Sequence, residues 1–127
     1  MIIGIGIDSV SILRIRDLID RYGDRFLGKI FTDDEIREST GRRDYAQFFA
    51  ARFAAREAFF KALGTGWGRG ISLKEAGVVK DDHGKPGFSF SGKAAAALEK
   101  KGVLVSHLSL THDGEYAQAF VILEGGV

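Results

Sequence analysis

The sequence predicts an α+β fold in which an antiparallel sheet packs on one long buried helix. Three observations predict it. Residues 44–63 keep helical spacing with almost no polar face. HLSLTH at 107–112 and the stretch 116–123 have strand character and are joined through Asp113-Gly114. The chain also opens on a continuous apolar run, IIGIGI at 2–7, followed by Asp8.

Each element has a local reason. A short apolar run such as 2–7 suits a buried strand. Residues 10–27 suit an amphipathic helix. At 100° per residue Ile12, Ile15, Leu18, Ile19, Tyr22 and Phe26 fall within about 120° of one another, a core-facing stripe. FTDDEIRES at 31–39 starts a short helix, with Thr32 as N-cap and Glu35 three residues on, a capping box. In the helix at 44–63, Ala51, Ala55, Ala58 and Ala62 form one face, and Phe48, Phe49, Phe53, Phe59, Phe60 and Leu63 cover another. A helix apolar nearly all round is a buried one, and its alanine face admits a neighbouring backbone. The glycines at 64, 66, 68 and 70 end it.

Residues 71–79 and 86–90 read as strands joined by the DDHGK turn. Ser91 caps a helix over 92–101, with Gly102 just past its end. The alternating strand 107–112 turns at Asp113-Gly114 and returns antiparallel over 116–123. No repeat, low-complexity run or linker divides the 127 residues, so one domain spanning 1–127 is expected.

Composition limits the function classes. With 45% hydrophobic and 28% charged residues the chain reads as soluble and globular. A net charge of +1 supplies no global field that would select nucleic acid or a membrane surface, so recognition must come from local patches. The absence of cysteine excludes disulfides, thiolate zinc sites and cysteine nucleophiles. The apolar N-terminus lacks a basic leader and a small-residue cleavage site, and no window approaches the length of a membrane span. The expected location is cytoplasmic.

Several residues stand out chemically. Glu57 and Lys61 lie beside the alanine face, one turn apart on a helix that reads as buried. Charges in such a place are costly unless paired or bound to a metal. They form either an ordinary i,i+4 pair or part of a site. Asp8, at the end of an apolar strand, is either a cap for the next helix or a functional carboxylate. Gly4-x-Gly6 does not complete a dinucleotide fingerprint, because Ser9 stands where a third glycine is required. GTGWGRG at 64–70 either ends a helix or lets a ligand approach the backbone. No GK[ST] follows it, which excludes a P-loop. HGKP at 83–86 is a tight turn carrying Lys85 and the only proline. His112 ends a strand, where a lone histidine is more often structural than a ligand.

In their order along the chain, Gly6-Ile7-Asp8 with Arg14 downstream, RFAAREAFFKALGTG at 52–66, GKP at 84–86 and SLTH at 109–112 resemble the holo-acyl-carrier-protein synthases, over essentially the whole length. Arg56 stands where that family usually has lysine. Ser11 stands where it usually has glutamate. The resemblance implies the 4′-phosphopantetheinyl transferase fold and a homotrimer with sites at subunit interfaces. It also implies transfer of 4′-phosphopantetheine from coenzyme A to a serine of apo-acyl carrier protein, releasing adenosine 3′,5′-bisphosphate, in support of fatty acid biosynthesis. By the same resemblance Asp8 and Glu57 hold Mg²⁺ with the coenzyme A diphosphate, and Lys61 completes the catalytic set by stabilising the leaving charge. Such a donor set suits Mg²⁺, which typically takes one or two carboxylates plus substrate phosphates. Arg52, Lys61, Gly64, Gly66, Gly84, Lys85, Pro86, Thr111 and His112 are implied to bind coenzyme A.

On an ideal wheel Arg14, Arg21 and Arg25 fall within about 40° of one another, and Asp17, Asp20 and Asp24 gather elsewhere. The stripe is either a solvated face or, as the resemblance implies, the dock for an acidic carrier protein. Two other classes compete. One is a non-catalytic module that binds coenzyme A or an acidic partner; the presence of both Asp8 and Glu57 speaks against it. The other is a metal-dependent diphosphate hydrolase; the lack of a further cluster of carboxylates or histidines speaks against that.

Overall fold

A computed structural model describes residues 1–65 and 70–126. Its elements, in chain order, are β1 (Ile2–Ser11), α1 (Ile12–Tyr22), α2 (Asp24–Ile30), α3 (Asp33–Ser39), α4 (Tyr45–Leu63), a single 3₁₀ turn (Leu73–Glu75), β2 (Ala76–Lys80), β3 (Pro86–Phe90), α5 (Gly92–Lys100), β4 (Val103–Asp113) and β5 (Tyr116–Gly125). The class is α+β, with antiparallel strands throughout. The strands form two sheets rather than one: β1-β5-β4, and the hairpin β2-β3.

α4 is the centre of the molecule. Phe48, Phe49, Phe59, Phe60 and Leu63 are buried on it, as are Ala54, Ala55 and Ala58. The alanine face explains Gly4-x-Gly6. A Cβ added at Gly4 would lie 1.9 Å from the Ala62 carbonyl oxygen, and one at Gly6 would lie 1.8 Å from that of Ala58. The two glycines therefore let β1 lie backbone-to-backbone on α4. Side chains alternate along a strand, so Asp8 and Val10 share the α4-facing side with Gly6.

Besides β4, which begins at Val103 and not at 107, three boundaries differ from the sequence expectation. β1 does not stop at Ile7: Asp8, Ser9, Val10 and Ser11 stay in register with Ala119, Gln118, Ala117 and Tyr116 of β5. Asp8 is thus within the strand, and Ser11 caps α1, its Oγ accepting from the Arg14 amide at 3.2 Å. The single helix expected over 10–27 is two helices, bent at Gly23, whose φ of 53° favours glycine. The apolar stripe survives the bend because α1 and α2 lay Ile15, Leu27 and Ile30 on one core. Finally, the first part of 71–79 is the 3₁₀ turn. It places Glu75 so that its carboxylate, and not the Ser91 hydroxyl, accepts from the first amides of α5.

The capping box of Thr32 and Glu35 forms as expected. Glu35 also meets Arg56 of α4 in a fully buried ion pair, with side chains 1% and 0% exposed. Among the described residues, no helix is long and apolar enough to cross a membrane.

Candidate active site

Asp8, placed on the α4-facing side of β1, meets Lys61 in the last turn of α4. The lysine Nζ lies 3.1 Å from Asp8 Oδ1 and donates to the Ile7 carbonyl at 3.0 Å. Glu57, one turn earlier, lines the same cavity as Asp8. That cavity measures about 520 Å³, has Ser9, Ser11 and Arg14 at its polar side and is walled by Ile15, Phe26 and Phe53. A strand carboxylate and a helix carboxylate thus open on one space beside an ammonium group. Among the described residues, no group of three or more Asp, Glu, His or Cys forms a larger metal cluster. A pair of hard carboxylates suits Mg²⁺, whose other positions go to phosphate and water oxygens.

A second cavity, of about 270 Å³, collects most of the residues implied to bind coenzyme A: Arg52, Gly84, Pro86, Thr111 and His112. Arg52 is its chemical centre. It is only 3% exposed. Its Nη1 donates to the Phe48 carbonyl at 3.3 Å, yet Nε and Nη2 have no hydrogen-bond partner. Glu38 stands 3.7 Å from Nη2, too far for a hydrogen bond. Burial pushes the Arg52 guanidinium below its ordinary pKa, while Glu38 and Glu35 favour its charge. Buried cationic donors without acceptors are costly, and an anion in the cavity would satisfy them.

Not every expected residue joins these two places. Lys85 lines an adjoining groove with Ser109 and Leu110 instead. Gly64 adopts φ 83° and terminates α4, so its helix-ending role is the visible one. Gly66 lies outside the described residues. Arg14 and Arg21 share a groove on α1, but Arg25 sits on α2 beyond the bend and lines the next one. The one-helix wheel therefore does not hold for Arg25. Nor are the acids set apart, since Asp17 lines the same groove as Arg14 and Arg21. Sequence reasoning missed Arg42, Asp44 and Lys80, which also line the Arg52 cavity. No periodicity links residues so far apart in the chain.

Comparison with known proteins decides the family. Residues 4–121 match the model of the 4′-phosphopantetheinyl transferase superfamily. The chain belongs to that superfamily. The holo-[acyl-carrier-protein] synthase of Sinorhizobium medicae is 48% identical over 128 residues, covering 98% of this chain and 92% of the relative. The crystal structure of the Neisseria meningitidis holo-[acyl-carrier-protein] synthase superposes with a TM-score of 0.90 at 38% identity, covering 98% of this chain and 99% of that one. The Bacillus anthracis synthase, solved in complex with CoA (3′,5′-ADP), gives 0.82 at 37% identity, with 99% of both chains covered. The phosphopantetheinyl transferase fold expected from the motifs is the fold observed.

Proposed function

We propose that this phosphopantetheinyl transferase is a holo-acyl-carrier-protein synthase, moving 4′-phosphopantetheine from coenzyme A to a serine of apo-acyl carrier protein for fatty acid biosynthesis in the cytoplasm. The observation that carries the reading is the opening of Asp8 and Glu57 on one cavity beside Lys61. The serine oxygen attacks the β-phosphorus of coenzyme A, and its hydroxyl proton passes to water. The bond from that phosphorus to the bridging oxygen breaks, and adenosine 3′,5′-bisphosphate departs with the bond's electrons. Phosphoryl transfer of this kind depends on positioning and charge neutralisation more than on covalent help. Asp8 and Glu57 would hold Mg²⁺, which supplies neutralisation of the diphosphate when bound. Lys61 offers a donor to the departing oxygen, and its contact with Asp8 and the Ile7 carbonyl aims it there. Arg52 and its cavity would take an anionic part of coenzyme A remote from the reacting phosphorus.

Mass spectrometry of an apo-carrier protein mixed with the chain, coenzyme A and Mg²⁺ tests this. The carrier is expected to gain one phosphopantetheine. Binding of coenzyme A without transfer would indicate a binding module, and cleavage of coenzyme A without a carrier would indicate a hydrolase.

The same proposal includes a homotrimer with shared sites. The β1-β5-β4 sheet turns Ile5, Ile7, Val105 and Phe120 away from α4, exposed by 55, 62, 47 and 40%. Exposed apolar side chains gathered on one sheet face in this way mark an interface. The two cavities share no lining residue. Arg52 and Glu57, five residues apart, point about 140° away from each other around α4. One coenzyme A would then span Arg52 of one subunit and Asp8 and Glu57 of the next. Asp8→Ala and Arg52→Met chains are each expected to be nearly inactive alone. Refolded together in equal amounts, they should recover about a quarter of the wild-type rate, because a cyclic trimer filled at random pairs two intact halves at one interface in four. No recovery would place the whole site within one chain.

Arg14, Arg21 and Arg25 are proposed to receive the acidic carrier protein. Exposed pairs contribute about 0–1 kcal/mol each, so changing all three to glutamate should raise the KM for carrier protein by about 10–100-fold. Turnover at saturation and the KM for coenzyme A should barely move, the pattern of lost uniform binding. An unchanged carrier KM at low salt would put the dock elsewhere.

A further inference from the structure

The two carboxylates of the first cavity are spaced by backbone contact at Gly6. This residue lies on the α4-facing side of β1, two residues before Asp8. A Cβ added there would meet the Ala58 carbonyl oxygen at 1.8 Å, the Ala58 carbonyl carbon at 2.8 Å and the Ala62 amide nitrogen at 2.8 Å. All three atoms belong to helix backbone, which no change of rotamer can move. Ala58 directly follows Glu57 in α4. The close approach of strand to helix therefore falls one residue from one carboxylate and two from the other. On its other side β1 is held by β5, with Gly6 opposite Val121 and Asp8 opposite Ala119, both buried. Asp8 has a short side chain, only 16% exposed and engaged by Lys61. The strand cannot shift, and this carboxylate has little reach of its own.

A fixed opening of this kind discriminates between cations. Mg²⁺ binds oxygen at about 2.0–2.1 Å and demands near-ideal octahedral geometry, whereas Ca²⁺ accepts about 2.3–2.6 Å in flexible arrangements. We infer that Gly6 is a positioning residue that tunes the Asp8 and Glu57 pair to the smaller ion, so that its contact with Ala58 selects Mg²⁺ over Ca²⁺. The inference rests on the proposed reading of these carboxylates as the metal site. For a Cβ at Gly6 to reach an ordinary carbon–oxygen contact of about 3.3 Å, the strand would have to retreat from 1.8 Å by roughly 1.5 Å. A further methylene adds about 1.5 Å to a side chain, so Asp8→Glu should make good that retreat. Gly4 supplies the comparison. A Cβ there would meet the Ala62 carbonyl oxygen at 1.9 Å, an equal intrusion on the same packing. It lies four residues from Asp8, and the neighbour of Ala62 is Lys61, whose long stem can follow a shift.

Electron paramagnetic resonance of bound Mn²⁺, displaced in turn by Mg²⁺ and by Ca²⁺, tests it on the full chain with coenzyme A and no carrier protein. The quantity to read is the ratio of the two displacement constants. The wild type should favour Mg²⁺. Gly6→Ala should lower that preference by about tenfold or more, the usual cost of losing the support behind a metal ligand, with Mg²⁺ losing more than Ca²⁺. Gly4→Ala should leave the preference near wild type. Asp8→Glu alone should lower it too, because a longer arm on an unmoved strand overfills the opening. Combined with Gly6→Ala, it should restore the preference. The single Asp8→Glu variant leaves the packing of strand on helix intact, so it reads the fixed opening even where Gly6→Ala does not fold. A wild type indifferent between the two ions, a preference unmoved in Asp8→Glu or in folded Gly6→Ala, an equal fall in Gly4→Ala, or a folded double variant that restores nothing overturns the role of Gly6 and leaves the metal site in place. Mn²⁺ binding that Asp8→Asn leaves untouched overturns the metal-site reading itself, and the inference with it.

Discussion

Replacing Asp8 or Glu57 with alanine is expected to lower turnover by about 10²–10³-fold, the usual cost of losing a principal electrostatic stabiliser. The two carboxylates reach the cavity from different elements, Asp8 from β1 and Glu57 from α4. Neither can substitute for the other, because Gly4 and Gly6 fix the strand on the helix with no room for adjustment. Asp8 also anchors Lys61. Its loss would leave that ammonium aimed by the Ile7 carbonyl alone. Asp8→Asn should lose nearly as much as Asp8→Ala, since the missing quantity is charge and not volume. Chelation of divalent metal should silence the wild type, while the melting temperature of each variant stays close to wild type. Undiminished turnover in a folded variant, or full activity after chelation, would remove these carboxylates from the mechanism.

The parts of this site that could be read from the sequence are those written in neighbouring residues. The helix apolar all round, the alanines on one face of it, and Glu57 and Lys61 a turn apart are local signals, and α4 forms as they require. The capping box of Thr32 and Glu35 is local too. The misreadings have physical causes. The apolar run ends at Ile7, but β1 continues because Val10 points inward while Ser9 and Ser11 point out, an alternation hidden by Asp8 in an inward position. Gly23 bends a helix whose amphipathic pattern runs on unbroken, so a wheel drawn through it misplaces Arg25. The Arg52 cavity unites residues 42, 80, 84 and 112, and no spacing along the chain encodes such a meeting. Arg56 looks like a simple exchange for lysine in the motif. Only the packing shows that its guanidinium is wholly buried on a carboxylate 21 residues earlier.

That buried pair should dominate the stability of the molecule. Arg56 donates Nη1 to Glu35 Oε2 at 2.9 Å, pairs Nη2 with Oε1, and sends Nε to the Leu73 carbonyl at 2.9 Å. Glu35 in turn accepts from the Thr32 amide at 2.8 Å and the Val78 amide at 3.2 Å. One carboxylate therefore ties α3, α4 and β2 together. Glu35→Gln would leave the guanidinium buried without its counter-charge and would turn an amide donor toward other donors. Breaking a buried pair in this way costs about 3–5 kcal/mol, a large share of the roughly 5–15 kcal/mol that holds a domain folded. The pH dependence has a definite sign. Burial pushes the Glu35 carboxyl up, but Arg56 and the two amides more than offset this and hold it below its ordinary value of 4.5. The unfolded chain then binds the proton first as pH falls. The stabilisation is complete above the ordinary value and is lost as pH drops through the lower folded one. Urea titrations of wild type and Glu35→Gln from neutral pH to about pH 3 should show a gap that is widest near neutrality and closes in acid. Exchanging both residues for apolar ones should restore part of the loss, since the charge left alone is what costs most. A gap that stays constant into acid would mean that Glu35 acts through shape and hydrogen bonding to α3, with its charge contributing nothing.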